Sequence, residues 1–332
     1  MSAPDDQWLL DEARAQDAVS SVTLVFVHLG SSLPIWLDGA LRQARLFNRC
    51  NIVLIAEAGA IGSARPDPSL NITCVPVEEI GLSPKHEEFR RSSPLDRSFR
   101  DGFWTFTSER FFVLESAMRQ LRLGRVVHVE NDVMLYVDCA ALADNLARLY
   151  PTAIGATFDN DARCVPGILY VPTPEQAAFL TEFYLTAFRN LGPKRAAGLN
   201  DMAVLGALRH YWPQTIDHLP IVPPDYPAPL RSAAGHSTTT PTAYWKNFDS
   251  LGMIFDAAAL GQFLGGIDPR NAPGPTAGFV NESCVFDPRL LRPQLVLDEE
   301  GRRVPVVHSA SGRHRVANLH IHSKNTHGFL SA

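Results

Sequence analysis

Along the first half of the chain, continuous apolar runs alternate with stretches of helical period. Val22–Gly30 (VTLVFVHLG) is apolar almost throughout and ends in a loop, as a parallel strand covered on both faces does. The pattern predicts a helix over Ile35–Phe47, a second strand over NIVLIAE (51–57) and a third over ITCVPVEEI (72–80). In TSERFFVLESAMRQLRLG (107–124), Phe111, Leu114, Met118 and Leu121 recur at 3-4-3 spacing, the stripe of an amphipathic helix. Gly124 suits its C-terminal stop. A further strand, RVVHVENDVMLY (125–136), follows at once. This rhythm predicts an α/β fold with a mostly parallel sheet flanked by helices.

The second half is less regular. CVPGILYVPTPEQAAFLTEFYLTAF (164–188) holds a short strand and then a helix, with Thr173 as N-cap, Pro174 at the first helical position and Gln176 completing a capping box. LNDMAVLGALRHY (199–211) predicts another helix, starting at Asn200 or Asp201. From His218 to Pro288 the chain is rich in Pro, Gly, Ser and Thr, so binding loops are expected there. VANLHIHSK (316–324) is strand-like. No internal repeat is visible. The expectation is a single domain over 1–332, with a nucleotide-binding half at 20–138 and a loop-rich, acceptor-side half at 139–332.

Composition narrows the function classes. The net charge is -5 over 332 residues and no long basic run occurs, which argues against a nucleic-acid partner. No apolar run is long enough to span a bilayer, and the acidic start MSAPDDQWLLDEARAQ lacks a signal-peptide core. The five cysteines are scattered without a Cys-x-x-Cys pair, which favours reduced thiols and a cytoplasmic location.

The strand at 125–136 then raises a chemical question. In an extended segment His128, Glu130 and Asp132 share one face. Two acids at the carboxyl end of a parallel strand lie where open α/β sheets bind ligands. Unpaired, they would repel each other and resist burial. A divalent cation, Mg²⁺ or Mn²⁺, would relieve that and could bridge to a diphosphate. The alternatives are a solvated turn, pairing with Arg, or helix capping. In NLHIHSKN (318–325), an extended reading puts Asn318, His320, His322 and Lys324 on one face. Imidazole suits Mn²⁺ and an ammonium suits phosphate; an exposed histidine-rich tail is the alternative.

Strand–ENDV–apolar, after a helix opening FWTFTSERFF, resembles the DXD element of GT-A glycosyltransferases, with Glu130 standing where Asp is commoner. The resemblance implies a GT-A (Rossmann-like) fold and a metal-dependent transfer of sugar from a UDP- or GDP-sugar. Asp132 would be the direct metal ligand, and Glu130 the ribose or second metal contact, with Asn131 between them among the donor contacts. HIHSK resembles the late His/Lys element of retaining enzymes of the glycogenin and bacterial galactosyltransferase type, with a shorter interval. Lys324 would contact the diphosphate, and its same-side pairing favours His322 over His320 as the third ligand. The family also implies donor contacts from Arg110 and from His28 and Gly30 in the loop HLGSSLP (28–34). Asn200 and Asp201 resemble its acidic loop beside the transferred sugar; a helix cap is the alternative for them.

FDAAALGQFLGGIDPRN (255–271) reads as an acceptor-side loop, with Asp256, Gln262 and Asp268 as its polar candidates; an ordinary helix ended by Gly265–Gly266 reads equally well. The acceptor would be a glycan, a lipid-linked molecule or a small molecule. Two other classes compete: a metal-dependent nucleotidyltransferase or phosphohydrolase using the same acids, and a non-catalytic nucleotide-sugar-binding protein.

Overall fold

The computed structural model describes residues 22–190, 199–232, 240–271 and 277–332. A seven-stranded sheet forms its centre. Its strands are β1 (Val22–His28), β2 (Ile52–Ala56), β3 (Thr73–Pro76), β4 (Arg125–Val129), β6 (Ile154–Asn160), β7 (Arg163–Val171) and β8 (Ile216–His218). They lie in the order β3-β2-β1-β4-β7-β6-β8. Neighbours pair in parallel except β7, which runs antiparallel to both β4 and β6. The expected α/β class with a mostly parallel sheet is therefore observed.

β1 and β2 are buried along nearly their whole length, which is why their sequences show no alternation. The helix Ile35–Phe47 forms as expected and buries Leu37, Leu41, Ala44 and Phe47. Thr173 accepts a hydrogen bond from the Gln176 amide (3.4 Å) at the start of the helix Pro174–Asn190. That helix and Phe103–Gln120 meet through aromatic rings, with Phe111 and Tyr184 5.6 Å apart. Three expectations need correction. The strand expected over 125–136 breaks after Val129 and resumes in another sheet at Val133–Leu135, because the Val133 amide turns back to the Glu130 carbonyl (3.1 Å). The third strand stops at Pro76, and VEEI turns into a short helix because Pro76 offers no amide to continue the ladder. The helix Phe103–Gln120 ends before Leu121, and Arg122 rather than Gly124 takes the left-handed turn at φ 52°.

Two smaller sheets complete the fold. β9 (Met253–Ile254), β10 (Gln294–Leu297), β11 (Arg303–Ser309) and β12 (Gly312–Val316) form one, in the order β10-β11-β12-β9. The other is an antiparallel pair, β5 (Val133–Leu135) with β13 (Asn318–His320), in which His320 lies opposite Val133. β5 directly follows the acidic end of β4, so this pair carries the chain's last strand to that end. Among the described residues no helix is long and apolar enough to cross a membrane.

Away from that sheet edge, His218 offers a test of the fold's pH response. It is buried, stacked on Phe158 (4.3 Å) and edge-on to Tyr244 (4.9 Å), and its Nδ1 has no partner. Burial, helped by the Arg209 charge, pushes its pKa from 6.5 down to about 4. Between those values the unfolded chain binds the proton and the folded one does not, so stability falls as pH falls. Going from pH 7 to pH 5 should cost the wild type about 2 kcal/mol more than His218→Phe. Urea unfolding at the two pH values measures it; equal losses would remove His218 from the account.

Candidate cation site at the end of β4

Four segments converge at the carboxyl end of β4. β4 carries Glu130 and Asp132 beyond its last residue. The backbone amide of Ile321 donates to the Asp132 carbonyl (2.8 Å), so β13 is stitched to the acidic turn itself. His320 Nε2 then lies 3.2 Å from Asp132 and 3.5 Å from Glu130, although 188 residues separate it from Asp132 in sequence. Lys324 donates to the same Asp132 oxygen. The third segment is the helix Phe103–Gln120, whose Arg110 reaches Glu130 with one arm and, with the other, Asp201 at 2.7 Å, the first residue of the fourth segment, the helix Asp201–Tyr211.

The electrostatics follow from these pairs. Burial resists ionisation of Asp132, but His320 and Lys324 prevail and hold it well below the ordinary carboxylate range. Glu130 is held down in the same way, against burial, by Arg110 and then His320. His320 is raised to about 9: burial opposes its charge, and Asp132 outweighs burial. One guanidinium serves both Glu130 and Asp201. Asp201 is the loser, and burial with the Glu130 charge lifts it to about 6 despite Arg110.

Three ligand atoms, one each from Glu130, Asp132 and His320, lie within 4.8 Å of one another. Ligands at about 2.0–2.2 Å from a common ion are separated by up to about 4.4 Å, so a small closure would suffice. Two carboxylates and an imidazole suit Mn²⁺, and the acids suit Mg²⁺. The donor set fits a divalent cation.

On the β1 side of the turn, Asn131 donates to His28 Nδ1 (3.0 Å), and His28 Nε2 donates to the Ser32 carbonyl (2.8 Å). Burial lowers the His28 pKa, consistent with this neutral tautomer. The Gly30 amide donates to Glu57 (3.1 Å), a residue the sequence reading passed over. The loop after β1 is thereby tied to the acidic turn.

Several sequence expectations change here. The alternating face over 318–324 ends at His320, because the strand stops there and Lys324 turns with φ 67°. His320, not His322, meets the acids. His322 Nδ1 instead accepts the Asp268 amide (2.9 Å), and Asn271 lies 3.5 Å from its Nε2. Asn200 is engaged as the N-cap of the helix Asp201–Tyr211, accepting the Ala203 amide at 2.9 Å. Asp256 has no exposed surface and accepts three backbone amides, so it does not face an acceptor. Gln262 is buried in the helix Ala259–Gly265, and Asp268 is clasped by Arg270 (2.6 Å). The expected acceptor loop is a packed helix ended at Gly266, the plainer of its two readings.

Gly167 was also missed. In β7 it lies under the His320 ring, where an added Cβ would sit 2.9 Å from Nδ1. A glycine inside a strand is the one signal that could have marked it.

The fold and site thus define an α/β protein in which Glu130, Asp132 and His320, three side chains that could hold a cation, meet at the carboxyl edge of its sheet. No family model matches the chain, and no curated protein matches it. Among solved structures it is similar to mouse xyloside xylosyltransferase 1 in its apo form, at 13% identity and TM-score 0.44, over 60% of this chain and 85% of that one. It is also similar to PaToxG glycosyltransferase, at 8% identity and TM-score 0.36, over 62% and 77%. A third similarity is to the glycosyltransferase GlyE of Streptococcus pneumoniae TIGR4, at 12% identity and TM-score 0.33. This one covers 59% of this chain and 44% of that one.

Proposed function

We propose that the chain is a GT-A glycosyltransferase that transfers a sugar from a nucleoside-diphosphate sugar, with a divalent cation held by Glu130, Asp132 and His320. The observation that carries this reading is the meeting of those three side chains at a sheet edge, from segments far apart in sequence. The resemblance of ENDV and HIHSK to the family's two metal elements supports it.

The residues divide the work by position. The loop of His28 and Gly30, tied to Asn131, is suited to the base and ribose. Lys324, beside Asp132, is suited to the departing diphosphate, whose charge grows as the glycosidic bond breaks. A bound cation would add charge neutralisation at that same leaving group. Asp201, with a pKa of about 6, lies across Arg110 from Glu130, where it would meet sugar hydroxyls or an oxocarbenium-like centre. The transfer is proposed to retain configuration. The leaving phosphate can then take the acceptor's proton, and no strong base is required. Product NMR showing an inverted anomeric centre would overturn that part.

The test is a nucleotide-sugar panel with Mn²⁺ or Mg²⁺, read by thermal shift and by release of free nucleoside diphosphate. Metal-dependent stabilisation by UDP or GDP, with release of that diphosphate from one donor sugar, is expected. Release of nucleoside monophosphate and sugar 1-phosphate instead would favour a phosphohydrolase, and pyrophosphate formed from a nucleoside triphosphate and a sugar 1-phosphate would favour a nucleotidyltransferase. Silence across every nucleotide would overturn the reading.

A further inference from the structure

Asp256 is a buried carboxylate for which the proposed reaction has no use. It follows β9 and has no exposed surface. One oxygen accepts the Leu260 amide (2.8 Å); the other accepts the amides of Gly261 (2.8 Å) and His320 (3.0 Å). Its backbone is tied to β13 as well. The Asp256 amide donates to Asn318 Oδ1 (3.1 Å), and Asn318 Nδ2 donates back to the Asp256 carbonyl (3.4 Å).

The surrounding backbone is shaped to make this contact. Ala258 adopts φ 70°, a left-handed conformation unfavourable for a residue with a Cβ. That turn brings the first amides of the helix Ala259–Gly265 round to the carboxylate. Gly261 presses so closely on β13 that an added Cβ would overlap the His320 carbonyl.

The far side of the His320 ring explains why the contact matters. A metal-binding histidine ordinarily donates its other ring N–H to an acceptor that sets its orientation. His320 Nδ1 is buried and has no hydrogen-bond partner. Orientation must come from where the backbone puts the residue, and from Gly167 beneath the ring.

We propose that Asp256 is a positioning residue: its carboxylate joins the helix start to the His320 amide and so fixes the imidazole against Glu130 and Asp132. This rests on the reading of those three residues as a cation site. Asp256→Asn keeps the size but replaces one accepting oxygen with a donor. Gly261→Ala disturbs the same contact from the helix side. Leu41→Ala, in the core at Ile35–Phe47, serves as a destabilised control.

The experiment uses the full chain labelled with ¹³C,¹⁵N-histidine. The His320 imidazole signals, assigned with His320→Gln, are recorded without metal, and Mn²⁺ affinity is measured separately by EPR. Asp256→Asn and Gly261→Ala are expected to shift the His320 signals and weaken Mn²⁺ binding by at least about 10-fold. Leu41→Ala should do neither at a comparable loss of melting temperature. Unchanged His320 signals in both site variants, or an equal shift in the control, would overturn the proposal. If the wild type binds no Mn²⁺, the cation reading fails, while the metal-free imidazole comparison still decides the role of Asp256.

Discussion

Replacing Arg110 with methionine is expected to destabilise the fold by about 3–5 kcal/mol, the range for breaking a buried ion pair from one side. The guanidinium side chain is 9% exposed and stands between Glu130 and Asp201. It also lies over the Phe111 ring, 4.9 Å from its centroid. Methionine keeps much of the volume but leaves Asp201 buried without a counter-charge and Glu130 with His320 alone. Asp201 would hold its proton still more tightly folded than unfolded, so the deficit should be full near neutral pH and shrink as pH falls. Lysine should rescue poorly, because a point ammonium cannot reach two acids as the guanidinium fork does. Neutralising the acids in the same background, with Glu130→Gln and Asp201→Asn, should recover part of the loss. Urea unfolding at pH 7 and pH 5 measures all four proteins. A loss below about 1 kcal/mol, the scale of an exposed pair, would mean the bridge is solvated and weak.

Asp132→Ala is expected to have the largest effect on binding and turnover. It removes the one carboxylate among the described residues that touches both His320 and Lys324. Loss of an outer partner of a metal ligand already costs about 10–100-fold in affinity, so loss of the ligand itself should cost at least roughly 100-fold. Metal-dependent stabilisation by nucleoside diphosphate should disappear with it. The fold should survive, since Lys324 is partly exposed and can return to solvent. His320 should lose the charge that raises its pKa and titrate nearer its ordinary value. Mn²⁺ EPR and nucleotide thermal shifts on the folded variant provide the check. Wild-type affinity in Asp132→Ala would remove this residue from the site and take the proposed function's main support with it.

The sheet was legible because burial on both faces leaves a long apolar run, and β1, β2 and β4 each show one. The helix Ile35–Phe47 was legible from its own period. These signals are local, and local periodicity survives whatever the rest of the chain does. Some of the candidate site residues were legible for a similar reason: acids at a strand end and paired histidines are unusual enough to notice singly.

Their pairing was another matter. That Arg110 bridges Glu130 and Asp201 depends on two helices, with these residues 91 apart in sequence, meeting at one strand end. That His320 and not His322 faces Asp132 depends on where β13 stops, and Asp256 and Gly261 hold it there. The sequence leaves Asp256 a candidate of an acceptor-side loop, because a sequence lists a carboxylate without saying which amides surround it. By itself the sequence determined the elements and a short roster of reactive groups, since each rests on neighbours in the chain. Which of those groups touch was decided only by the tertiary structure, because a cation cluster is a matter of distances of a few ångströms between segments that no local pattern connects.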